Sequence, residues 1–213
     1  MSDIVVIDNV LSPKLLYWLQ NIYPKLKYRF CRDVLYPGDK FYIPHGGVIR
    51  DDKNSSGTYQ FVCAIFKYLN VNPEPMGIDP VFEDLENALK IMVRHCGYDL
   101  DEVSRFKFNL TQPQCRSVES KYNTPHVDDD DLSQSPLHHA LIFYLEDSDG
   151  DTFLFNEVYN VTKPKPKKLT IAKRVTPKAN RCVMFRGNRF HASSNPKKNP
   201  YRIVLNCNFN IKE

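Results

Sequence analysis

A chain of 213 residues with a formal net charge of +4 is long enough to hide roughly 70% of its unfolded surface. It is too mildly basic to demand a nucleic-acid or membrane partner. No run of about 18 apolar residues is present to cross a bilayer, and the opening MSDIVVIDNVL lacks the charged start and long apolar stretch of a secretory leader.

Six cysteines, at positions 31, 63, 96, 115, 182 and 207, form no CxxC pair. That excludes a zinc ribbon and a thioredoxin-type motif, and predicts free thiols in a reducing, cytoplasmic setting. The 13 Phe and 12 Tyr lean the chain towards strands.

In chain order, residues 4–7 (IVVI) predict a short strand. Ser12-Pro13 then predicts a helix N-cap with proline at the first helical position, and LLYWLQNIY continues at helical spacing. Pro37 to Gly57 reads as a loop, with Gly38, Pro44, Gly46, Gly47 and the polar run DDKNSSG. A loop of that length is either an active-site lid or a surface excursion, and the two readings stand level. A second helix is predicted over Thr58–Leu69 (TYQFVCAIFKYL) and a third over Pro80–His95, capped by Gly97.

From residue 103 the pattern changes. VSRFKFNL, HALIFYLE, DTFLFNEVY, LTIAKRVT, RCVMFR and YRIVLNCNF are short β-like runs separated by turn residues or charged loops. With a short strand around His126, they suffice for a two-sheet antiparallel barrel or jelly roll. KPKPKK at 163–168 reads as a solvated hairpin tip. The expected organisation is one domain over 1–213, of class α+β but mainly β. Residues 1–100 would give mostly helical support and a candidate lid at 37–57, and 103–211 the jelly-roll core.

His126-Val127-Asp128 places an imidazole and a carboxylate at i and i+2, which on a strand share one face. His191 follows downstream in RFHASS. Two histidines and one carboxylate can hold one face of an octahedral metal and leave the other open. Each half of this set is weak alone, since an HxD or a lone His is more often a solvated loop. Arg202 adds weight: it opens the apolar strand RIVLNCNF, and a buried cation needs an anionic partner. An arginine fork suits a bidentate carboxylate, although a surface Arg in a basic patch with Lys197 and Lys198 is the bland alternative.

His126-x-Asp128, His191 and Arg202, in this order and on short strands, resemble the Fe(II)/2-oxoglutarate-dependent oxygenase superfamily. Its prolyl-4-hydroxylase-like branch is the nearest. HALIFYLEDSDGDTFLF is similar to that branch's strand-turn-strand, with Tyr144-Leu145 followed by Gly150, Thr152 and Phe155. The run from Pro177 through Phe185 to His191 resembles its next segment, except that Asn180 stands where Gly is usual. The linker Pro113–Tyr122 is longer than the branch's and lacks its Gly-Gln-x-Tyr pattern.

The resemblance implies a double-stranded β-helix (jelly-roll) core, with His126, Asp128 and His191 as catalytic metal ligands for Fe(II). Arg202 would hold the distal carboxylate of the co-substrate 2-oxoglutarate, O2 would be the oxidant, and ascorbate a stimulant. An intact Asp128 implies hydroxylation rather than halogenation. Tyr144, equally readable as an aromatic core residue, and Asn206 are further candidates to bind 2-oxoglutarate. Asn109, in phase with Lys107 and Arg105 and opposite Phe106 and Phe108, is another, on a sheet face that either lines a pocket or faces water.

Asp129, Asp130 and Asp131 read as a solvated turn or as an electrostatic lip. His138 and His139 read as strand-edge residues rather than ligands, and His45 as a loop residue. A prolyl residue in a peptide or protein is the expected substrate. An oxygenase of nucleobases or small molecules is the alternative, kept open by the basic loops 163–168 and 197–202. A non-catalytic jelly-roll binding or structural module is the third reading.

Overall fold

The computed structural model describes residues 3–31, 55–56, 59–65, 80–114, 121–128 and 132–213. The predicted lid 37–57, apart from Ser55 and Ser56, lies outside them. So do His45, Asp129–Asp131 and most of the Pro113–Tyr122 linker.

Among the described residues, twelve strands and two α-helices follow in the order β1 (Ile4–Asp8), α1 (Pro13–Ile22), β2 (Arg29–Cys31), β3 (Ser55–Ser56), β4 (Gln60–Ile65), α2 (Pro80–His95), β5 (Leu100–Thr111), β6 (Tyr122–Asn123), β7 (His138–Tyr144), β8 (Thr152–Val158), β9 (Ile171–Val175), β10 (Arg181–Arg186), β11 (Arg189–Ser193) and β12 (Arg202–Ile211). Seven form one antiparallel sheet in the order β1-β10-β7-β12-β5-β4-β2. Strands β11-β8-β9 form a second sheet, and β3-β6 a small parallel pair. This is the double-stranded β-helix expected from the sequence.

The two helices start and stop where the sequence predicts. Ser12 accepts a hydrogen bond from the Leu15 N–H, and Pro13 opens α1. At the end of α2, Gly97 takes φ 88°, while the Tyr98 and Gly97 N–H groups return to the carbonyls of Val93 and Arg94. That left-handed stop favours glycine. Along α2, Phe82, Leu85, Leu89, Met92 and Val93 recur at helical spacing and are all buried. They pack on the seven-stranded sheet through Phe106, Phe108, Leu141, Phe143, Leu205 and Cys207. Each such large apolar side chain contributes roughly 1.5–3 kcal/mol by leaving water.

Alternation sends every second residue to the other face, where β8 and β9 close over the sheet. There Ala140, Ile142, Tyr144, Val183, Phe185 and Val204 meet Leu154 and Val175. β12 is buried on both faces for nearly its whole length. Its side chains divide cleanly: Ile203, Leu205, Cys207 and Phe209 towards the helices, and Arg202, Val204, Asn206 and Asn208 towards the second sheet.

The predicted second helix is a correction. Residues 60–65 form strand β4, paired from Gln60↔Thr111 to Ile65↔Phe106 with β5. A short apolar run rich in aromatic and β-branched residues fits either element by periodicity alone. Here the unpaired edge of β5 supplies the hydrogen bonds that decide it. Segment 163–168 is the tip of the β8–β9 hairpin and is largely exposed, as predicted.

Asn180, the departure from the expected glycine, has φ 64°. Asn tolerates this region better than most residues, and its side chain is used. Its Oδ1 accepts from the Leu11 N–H (2.9 Å) and its Nδ2 donates to the Leu11 carbonyl (2.8 Å), both buried. The turn before β10 is thereby stapled to the lead-in of α1. Asn180→Gly is expected to keep the backbone but lose both bonds, costing about 1–3 kcal/mol. Asn180→Ala is expected to cost more, because it adds the left-handed penalty. Urea denaturation of the three proteins checks the order; Ala as stable as wild type would refute it.

Candidate metal and co-substrate site

His126 and His191 face each other as an antiparallel bridge, each backbone N–H donating to the other's carbonyl at 3.0 Å. Directly opposed residues project to the same side, so the two rings lie 4.6 Å apart. Each ring places Nδ1 against a carbonyl two residues back: Thr124 at 3.0 Å for His126, and Arg189 at 3.3 Å for His191. With a proton on Nδ1, both Nε2 lone pairs point at the carboxylate of Asp128. His191 Nε2 is 3.5 Å from Oδ2, and His126 Nε2 is 4.0 Å from Oδ1. Burial first, then His191, pushes His126 down to about 3. His191 is lowered too, mainly by burial. Both imidazoles are therefore neutral donors at pH 7.

Asp128 is buried but keeps its charge. Burial opposes ionisation, yet Lys107, His191 and Arg105 outweigh it and hold the carboxyl well below the usual range. Four side chains of β5 and β12 surround it. Asn206 Nδ2 donates to both oxygens (3.1 and 3.0 Å), Asn208 Nδ2 to Oδ2 (3.2 Å) and Arg105 Nη2 to Oδ1 (3.1 Å). Lys107 Nζ stands 3.6 Å from Oδ1. Burial, then Arg105, brings Lys107 down to about 8 against the pull of Asp128. Ligand atoms of His126, Asp128 and His191 all lie within 4.8 Å of one another. Two neutral imidazoles and one carboxylate form a donor set that suits a divalent non-haem iron.

Arg202 is not part of the basic surface. It is 3% exposed, whereas Lys197 and Lys198 are exposed. Their backbone N–H groups are gathered by the Asp149 carboxylate. Arg202 Nε donates to the Gly150 carbonyl (2.7 Å), Nη2 donates to Thr152 Oγ1 (2.8 Å), and the guanidinium lies over the Tyr144 ring. Among the described residues, no carboxylate forms an ion pair with it. Gly150 is required here: a Cβ would sit 2.7 Å from the Ser194 carbonyl and 2.9 Å from Arg202 Cδ. The Gly-x-Thr pattern visible in the sequence is thus the seat of Arg202.

The remaining expected residues share this sheet face in different roles. Tyr144 is fully buried and its hydroxyl donates to Thr152 Oγ1 at 2.7 Å. Asn206 commits its amide donor to Asp128 rather than towards Arg202. Asn109 faces the same way as Arg105 and Lys107, as the alternation predicted, and its Oδ1 is buried without a hydrogen-bond partner. His138 and His139 open β7, an interior strand, rather than lining a sheet edge. Sequence reasoning placed Arg105 and Lys107 on this face and Thr152 in the turn motif, but missed Asn208 and gave none of them its contact with Asp128 or Arg202. Only the register Asn208↔Arg105 and Asn206↔Lys107 brings the group around Asp128 together.

Residues 113–210 match the family model of the 2OG-Fe(II) oxygenase superfamily. No curated protein matches the chain in sequence. Among solved structures, the fold is similar to an oxidoreductase of the 2OG-Fe(II) oxygenase family from Burkholderia pseudomallei. The TM-score is 0.59 at 13% identity, over 98% of this chain and 85% of that one. A prolyl hydroxylase from Trichoplax adhaerens, solved with a hypoxia inducible factor peptide, aligns with TM-score 0.53 at 10% identity, over 99% and 84%. The alpha-ketoglutarate-dependent epimerase SnoN of nogalamycin biosynthesis aligns with TM-score 0.55 at 12% identity, over 98% and 78%. The match over residues 113–210 is to a superfamily of 2OG-Fe(II) oxygenases, and the solved structures share its fold.

Proposed function

We propose that the chain hydroxylates a prolyl residue of a peptide or protein, with His126, Asp128 and His191 holding Fe(II) and Arg202 holding the distal carboxylate of 2-oxoglutarate. One observation carries the co-substrate assignment. Arg202 is a buried cation on the same sheet face as the residues that hold Asp128, and among the described residues it has no carboxylate partner. An unpaired buried charge is costly, and a dicarboxylate lying along that face would neutralise it. Bound iron would supply O2 activation coupled to decarboxylation of 2-oxoglutarate.

The protein's part is binding and orientation. Gly150 and Thr152 fix the guanidinium, and Tyr144 walls it from water. Asn206 and Asn208 aim the Asp128 carboxylate, and the Thr124 and Arg189 carbonyls set the histidine tautomers. Support for a prolyl substrate comes from the prolyl-4-hydroxylase-like segments of the sequence and from the Trichoplax structure, a prolyl hydroxylase with a peptide bound. The SnoN epimerase shares the fold to a similar degree. A small-molecule substrate is therefore the second reading. Mass spectrometry of proline-containing peptides after incubation with enzyme, Fe(II) and 2-oxoglutarate separates the two. A one-oxygen gain on proline supports the first; 2-oxoglutarate turnover stimulated only by small molecules supports the second.

Alanine at His126, Asp128 or His191 removes one of three protein ligands. Each variant is expected to lose Fe(II) on desalting and to form no succinate. Metal content and succinate yield check this, and full retention of both in any one variant contradicts the assignment.

Arg202→Ala is expected to keep its iron but to need roughly 10- to 100-fold more 2-oxoglutarate, the worth of a charge-assisted bidentate bond. Gly150→Ala, which crowds Arg202 without touching the triad, is expected to shift the requirement in the same direction. An unchanged half-saturating concentration in Arg202→Ala would remove Arg202 from the site.

A further inference from the structure

Arg105 and Lys107 have no assignment in the scheme above. They stand on β5, opposite Asn208 and Asn206 of β12. Side-chain exposure rises along this corner of the face, from 3% at Asp128 through 13% at Lys107 to 22% at Arg105. Both cations are thus less deeply buried than Asp128, with Lys107 as exposed as His126 and Arg105 more exposed than either.

Both cations put charge against Asp128, but amides alone fill most of its acceptor places. A carboxylate offers about four acceptor places. Asn206 occupies two with its contacts to both oxygens, and Asn208 a third. Arg105 takes what is left and also donates from Nη2 to Asn208 Oδ1 (2.7 Å); a metal held by Asp128 would compete for the same lone pairs and repel both cations. Arg105 also keeps a buried Nε with no hydrogen-bond partner. Among the described residues, Asp128 is the only carboxylate in ion-pair reach of either cation. A divalent ion on Asp128 would weaken the only ion pairs these two cations make among the described residues, an arrangement that favours an anion beside them.

Resting on the proposed function, we propose that Arg105 and Lys107 are specificity-determining residues that receive an anionic group of the substrate, a carboxylate side chain beside the hydroxylated residue. Arginine's fork takes it bidentately and lysine adds a point charge. The sequence run Asp129–Asp131 has the opposite sign, so a cationic substrate is the rival outcome.

The test uses enzyme loaded with Fe(II) and the unreactive analogue N-oxalylglycine under anaerobic conditions. Capped peptides carrying Glu, Gln or Lys on both sides of a central proline, and the same three with central alanine, are titrated by calorimetry. The expected result is that wild type binds the Glu peptides at least about tenfold more tightly than the Gln peptides, the worth of one charge-assisted bond. That ratio should fall towards one in Arg105→Gln and in Lys107→Met, and Arg105→Glu should turn the preference to the Lys peptides. The ratio is taken within each protein, so a general loss of affinity does not mimic the effect. No acidic preference in wild type, a preference for Lys, or an acidic preference unmoved by the substitutions would each overturn the proposal. Acidic preference shared by the proline and alanine peptides, with no oxygen added to proline under turnover, would sink the prolyl reading and leave this one standing.

Discussion

Two buried charges of opposite sign set the problem that this fold solves. The Asp128 side chain and the whole of Arg202 are each about 3% exposed, and a buried charge persists only if its surroundings compensate it. The two are compensated differently. Asp128 is enclosed by amides and cations of the protein itself. Arg202 receives dipoles from Gly150 and Thr152 and the field of Asp151, but among the described residues no carboxylate forms an ion pair with it. The first arrangement is complete until a cation arrives; the second is incomplete until an anion does.

Strand β12 makes both arrangements possible. It is interior, flanked by β7 and β5, so its central residues are paired and held in register on both sides. Ile203, Leu205, Cys207 and Phe209 lock one face into the helical layer. A one-residue slip would drive Arg202, Asn206 and Asn208 into that layer. The apolar packing of α1 and α2, remote from the chemistry, is thus what holds the polar face in place. The second sheet adds His191 through β11 and Thr152 through β8, so the candidate site is built from both layers.

Much of this was legible in the sequence because it rests on period-two patterns. All six apolar runs after residue 103 became strands, and the histidines, the aspartate and Arg202 converge on one sheet face or its bridge. What was not legible depends on pairing across long stretches of chain. Arg105 meets Asp128 only because β5 and β12 align over nearly their full length. Asn206 is on the expected face, but its amide is engaged by a residue 78 positions away. β4 was misread as a helix, since its run of aromatic and apolar residues has no strict period and only the edge of β5 settles it. Asn180 departs from the resemblance in identity while keeping its backbone conformation, a substitution the left-handed region permits.

The central claim is that one sheet face carries a metal at one end and a dicarboxylate anchor at the other. A crystal structure grown anaerobically with Fe(II) and 2-oxoglutarate tests it most directly. The account predicts iron bonded to His126 Nε2, His191 Nε2 and an Asp128 oxygen, with the distal carboxylate of 2-oxoglutarate paired to Arg202. Iron bound elsewhere, or a 2-oxoglutarate that leaves Arg202 with only Gly150 and Thr152 for company, would contradict it.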